Sequence, residues 1–107
     1  MITATYHRTY HRLTVTGHAY SGESGHDLVC ASASALVLTL AANVGSLVTQ
    51  GAAGKHIVSV KEGDAEIACT PNHKMRSVVT LIFDTVCTGL ELLQTLYPEN
   101  ICYQVLG

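Results

Sequence analysis

The chain has 107 residues, 48% hydrophobic and 13% charged, a composition of one globular domain rather than of a disordered polymer. Its net charge is −2 and its six lysines and arginines stand singly, which excludes the clustered basic footprint of a nucleic-acid binder. The opening MITATYHRTYHR is polar and lacks the apolar core of a signal peptide, so the four cysteines are expected to be reduced, in the cytoplasm.

Residues 2–8 and 13–16 alternate with period two across a short polar link, which predicts a β-hairpin. A loop at 17–26 follows, with Gly17, Gly22 and Gly25. Asp27 then precedes LVCASASALVLTLAANV, a helical run in which the Asp27 carboxylate is expected to cap the first amide hydrogens. No charge occurs from 28 to 54, longer than the ~20 residues of a membrane span. Ser32, Ser34, Thr39, Asn43 and Ser46 interrupt that run. A helix lying on a sheet, with a partner subunit on its other side, explains it without a membrane. QGAAG at 50–54 ends the helix.

Two strands, 56–61 and 66–70, are predicted around EGDA, whose Gly63-Asp64 pair suits a tight turn. A second helix is predicted at 74–97, with Met75, Val78, Val79, Ile82, Val86, Leu90, Leu93 and Tyr97 in one stripe and Pro98 as its stop. Leu81, Leu92 and Leu96 fall off that stripe and leave apolar surface for another subunit. Residues 101–105 form a candidate last strand. The order ββαββα predicts a single α+β domain over 1–107, two-layered, with an antiparallel sheet of about four strands and two helices.

Cys30 is the first candidate for chemistry. Behind a cap at Asp27 it would stand in the first helical turn, where free amides and the positive end of the helix dipole favour a thiolate nucleophile. The alternative is a small buried hydrophobe. His18 lies between the small residues Gly17 and Ala19, which leave room for a substrate backbone. Its imidazole suits the task of taking a thiol proton and passing it to a leaving amine; the alternative is a solvated loop histidine. Asp27 caps the helix, orients His18, or does both. Ser24 in SGESGH does not fit a serine elbow, because His26 takes the place of the last glycine. No C-x-x-C, helical H-x-x-x-H, G-x-G-x-x-G or P-loop motif is present, so neither metal nor cofactor is expected. Cys69, Cys87 and Cys102 are expected in the core or at an interface.

Gly17-His18-Ala19, a short glycine-containing loop, then Gly25-His26-Asp27-Leu28-Val29-Cys30-Ala31 and Ser34 resemble the signature of the ribosomal-processing cysteine proteases, the Prp family. The flanking hairpins and the ending GLELLQTLYPENI extend the resemblance over essentially the full length. The resemblance implies a bacterial, homodimeric, cofactor-free endopeptidase with a Cys–His dyad. Its substrate would be the large-subunit ribosomal protein L twenty-seven, from which it removes a short N-terminal extension. Neither nucleic acid nor membrane would be a direct partner.

By match to the motif, Cys30 is the nucleophile and His18 the base and acid. Gly17, Ala19, Gly22, Gly25, Ala31 and Ser34 are the substrate-contacting candidates, and the amides of Cys30 and Ala31 the expected oxyanion donors. Two rivals remain: a non-catalytic ribosome-associated assembly module of the same fold, and a thiol redox sensor at Cys30.

Overall fold

The alternating first residues do form a hairpin, β1 (Ile2–His7) and β2 (Arg12–Thr16), joined through a short 3-10 turn at Arg8–Tyr10. The computed structural model describes residues 1–17 and 24–107, the stretch 24–27 only by its place in a helix. Helix α1 (Ser24–Thr49) leads to a second hairpin, β3 (Ala53–Lys61) and β4 (Asp64–Pro71). Helix α2 (Arg76–Leu96) and strand β5 (Ile101–Leu106) complete the chain.

The sheet runs β3-β4-β2-β1-β5. Neighbours are antiparallel except β5, which runs parallel to β1. The candidate last strand is therefore real, and it makes a five-stranded mixed sheet where an antiparallel one was expected. The reason is α2: a helix carries the chain back to the end where β4 began, so the next strand runs in the direction of β4 and hence of β1.

Both helices bury one face against the sheet. From α1 that face is Val29, Ala33, Val37, Leu40, Val44 and Leu47. From α2 it is Val79, Phe83, Val86, Cys87, Leu90 and Leu93. Phe83 and Cys87 thus replace Val78, which is exposed, in the expected stripe. A Cβ on Gly89 would sit 2.6 Å from Leu36 Cδ2, so the missing side chain lets α2 approach α1 there. By length and composition alone both helices are long and apolar enough to cross a bilayer. Here each contributes its buried face to one shared core.

The end of the sheet near the 3-10 turn carries a polar lock. Tyr6 Oη donates to Asp84 Oδ1 at 2.8 Å, and Arg8 Nε and Nη2 donate to its two oxygens at 3.1 and 3.0 Å. The Arg8 guanidinium holds the Asp84 carboxyl below the usual carboxylate range. Next to it His11 is only 5% exposed, sits at φ 49°, and places Nε2 2.6 Å from Thr80 Oγ1.

Burial first, then the Arg76 and Arg8 guanidinium groups, push the His11 imidazole below its ordinary pKa, against a smaller pull from Asp84. Unfolded, His11 protonates near pH 6.5; folded, it resists protonation until lower pH. Its contribution to stability is complete above about pH 6.5 and is lost as pH falls toward the lowered value. The urea midpoint is expected to drop between about pH 7.5 and about pH 5.5, and less so in His11→Asn, whose side chain tolerates the left-handed backbone. Equal slopes in the two proteins would contradict this account.

Candidate active site

With one row of α1 locked into the core, the adjoining row is fixed in direction. Cys30, Ser34 and Leu38 follow one another at four-residue spacing, so they share a side of the helix. They line a cleft of about 290 Å³, whose opposite wall is the β3–β4 turn, including Val60, Lys61, Glu62 and Asp64. That volume suits one or two side chains of an extended ligand rather than a large cofactor.

Gly17 also lines the cleft. Its N–H donates to Gly63 O at 3.0 Å, which ties the end of β2 to the β3–β4 turn. Its φ is +87°, and a Cβ there would collide with the carbonyl oxygen of Met1. Only glycine satisfies both conditions. The chain therefore leaves β2 for residue 18 beside the cleft that holds Cys30.

Three of the expected site residues, Gly17, Cys30 and Ser34, thus meet in one place. Ala31 does not: it is exposed and faces away from the cleft. His18, Ala19 and Gly22 lie outside the described residues. Gly25 and Asp27, expected in the loop and at its boundary, fall inside α1, which begins at Ser24.

That earlier start corrects two expectations. Asp27 is not the helix cap, and Cys30 stands in the second turn rather than the first. Helix amides from Leu28 onward have carbonyl partners four residues back, so those of Cys30 and Ala31 are committed to the ladder and are not oxyanion donors. Asp27 still lies at the positive end of α1, where a carboxylate is favourable.

The four cysteines separate by environment, and none is in a disulfide. Cys69 and Cys87 are each 2% exposed. Burial raises the Cys69 thiol, and it pushes Cys87 up to about 12 despite the hydrogen bond to Tyr103. Both stay protonated at neutral pH. Cys102 is exposed on β5, outside the core, where of the two expected places only an interface remains open to it. Cys30 is half-buried, packed against the core, and the only one of the four that lines the cleft.

The β3–β4 wall was missed by sequence reasoning. Lys61 to Ala65 lie some thirty residues from Cys30 along the chain, and only the pairing of β4 with β2 brings them to it. Among the described residues no group of His, Cys, Asp and Glu side chains forms a metal site.

The family model for the cysteine protease Prp matches residues 1–102, and the chain belongs to that family. Its fold matches a crystal structure of the ribosomal processing protease Prp from S. aureus bound to a covalently linked product peptide. That match has a TM-score of 0.73 and 26% identity, over 99% of this chain and 100% of the other. A Streptococcus mutans protein matches at a TM-score of 0.67 and 25% identity, over 98% and 91% of the two chains. A second S. aureus Prp structure, with a substrate peptide, has a TM-score of 0.70 at 23% identity, over 98% and 97%. No curated protein matches by sequence.

Two outcomes check this geometry. Gly17→Ala is expected to lose about 1–3 kcal/mol in urea denaturation, since both its backbone angle and its contact with Met1 forbid a side chain. Iodoacetamide should alkylate Cys30 and Cys102 in the folded protein and reach Cys69 and Cys87 only after unfolding, read by peptide mass mapping. Rapid modification of Cys87 in native conditions would contradict its burial.

Proposed function

We propose that this chain is a cytoplasmic cysteine endopeptidase that removes a short N-terminal extension from the large-subunit ribosomal protein L twenty-seven. Cys30 is its nucleophile and His18 the group that moves protons. The observation that carries the reading is the cleft: a family of cysteine proteases matches residues 1–102, and Cys30 is the cysteine that opens onto a peptide-sized space. His18 follows Gly17, which lines the same cleft. The S. aureus relative, crystallised with a linked product peptide, supports a peptide as the ligand.

In this mechanism His18 takes the Cys30 thiol proton, and the thiolate sulfur adds to the scissile peptide carbonyl. The tetrahedral adduct collapses as His18 gives that proton to the departing amine, leaving an acyl thioester on Cys30. His18 then takes a proton from water, whose oxygen displaces the sulfur, and the carboxylate product leaves. Because Cys30 lies beyond the first turn, the dipole of α1 helps its thiolate less than a first-turn position would. Most of the activation therefore falls to His18.

Two further features complete the reading. The helix layer exposes Leu81, Leu92 and Leu96, at 65%, 57% and 68%, and a second copy of the chain covers them in a homodimer. Four cysteines without a disulfide suit a reducing cytoplasm.

A peptide spanning the extension and the mature start of L twenty-seven is the test. Wild-type protein should cut it once, and Cys30→Ala should lower kcat/KM by at least about 10⁴-fold with an unchanged circular dichroism spectrum. His18→Ala should lower both turnover and the alkylation rate of Cys30. An intact peptide after incubation with wild-type protein would favour the non-catalytic assembly module.

A further inference from the structure

We infer that the open edge of β3 is the docking strand for the substrate, which adds to the sheet as an extended sixth strand before crossing the cleft to Cys30. This rests on the protease reading and names how its substrate is held.

The backbone parity decides which groups are on offer. Cys69 N donates to His11 O at 3.2 Å, so Cys69, Ile67 and Ala65 direct their backbone groups toward β2. Asp64, Glu66 and Ala68 then direct theirs toward β3, where their partners are Lys61, Ser59 and Ile57. Val58 and Val60 are left with N–H and C=O pointing away from the sheet. Among the described residues nothing bonds these groups.

The side chains agree with that orientation. Val58 and Val60 stand opposite Ile67 and Ala65, both buried, and so face the helix side of the sheet. Both are nevertheless 43% exposed. Val60 and Leu38 of α1, itself 55% exposed, line the cleft of Cys30 together and give it an apolar trough at the edge of β3. A peptide strand would lie about 4.8 Å beyond β3 and send alternate side chains into this trough.

The other edge of the sheet is treated differently. Gln94 Oε1 accepts from Tyr103 N at 2.6 Å, so a side chain occupies the outward Tyr103 amide of β5. Blunting of this kind is how proteins keep an edge from pairing. Strand β3 has no proline and no such cover, and its open stretch is continuous with the cleft. The ligand this selects is an extended peptide with apolar side chains at alternate positions.

The experiment is a backbone N-methyl scan of the L twenty-seven junction peptide. Methylation at alternate residues on one side of the scissile bond should lower kcat/KM by tenfold or more, and the intervening positions should be nearly silent. In parallel, the same peptide added to Cys30→Ala protein should slow hydrogen exchange at the Val58 and Val60 amides. Cleavage with a flat methylation profile overturns the docking strand and leaves the protease reading intact. Failure to cleave the unmethylated peptide overturns that reading and the docking with it. Protection of both amides before any peptide is added would mean a second copy holds the edge, and also overturns the inference.

Discussion

The burial of one row of α1 sets everything at the cleft. Val29, Ala33, Val37, Leu40, Val44 and Leu47 are nearly inaccessible, and together they leave the helix a single rotational setting on the sheet. At 3.6 residues per turn, sliding that register by one residue would swing every side chain about 100°. Cys30, adjacent to Val29, is thereby held at the boundary between core and cleft, half-covered and aimed at the β3–β4 turn. If Cys30 is the nucleophile, as proposed, the core has already determined the direction of its sulfur.

The same constraint explains which features were legible in the residues. Hairpins and helices followed from local periodicity, and their observed bounds differ from the expected ones by a few positions at most. The start of α1 was the costly error. Asp27 is a good capping residue, but Ser24 also favours a helix start, and four additional residues of helix move Cys30 out of the first turn. Nothing local distinguishes the two starts. Strand β5 was visible as a strand, whereas its parallel pairing with β1 depends on where α2 returns the chain. Phe83 and Cys87 entered the core in place of Val78 because Tyr6 and His11 offer ring partners on that side: Phe83 stacks on Tyr6 at 6.0 Å and meets His11 edge-on at 5.8 Å. The far wall of the cleft was illegible for the same non-local reason.

Moving the nucleophile one turn inward also redistributes the proposed chemistry. A first-turn cysteine draws thiolate character from free amides and dipole alone, and would react with any electrophile that reaches it. A second-turn cysteine draws less from both, since the dipole's influence fades within a turn. Its reactivity then depends on an imidazole carried by a separate segment. In the proposed mechanism turnover therefore needs the His18 imidazole as well as the Cys30 thiol, and the thiol by itself is the less exposed to indiscriminate oxidation or alkylation.

The two sheet edges complete the logic of the domain. An unpaired edge strand invites aggregation, and Gln94 lessens that hazard at β5 by occupying the Tyr103 amide. The hazard is retained at β3, on the one stretch of edge that runs into the cleft of Cys30. If that edge served no ligand, a proline, or a side chain cover like that of Gln94, at Val58 or Val60 would remove it without disturbing a single bond to β4, because their amides point outward. Retaining bare amides at these two positions is the arrangement a main-chain-reading peptidase needs: hydrogen bonds to the substrate backbone give affinity for any extended segment, while the Leu38 trough selects among side chains.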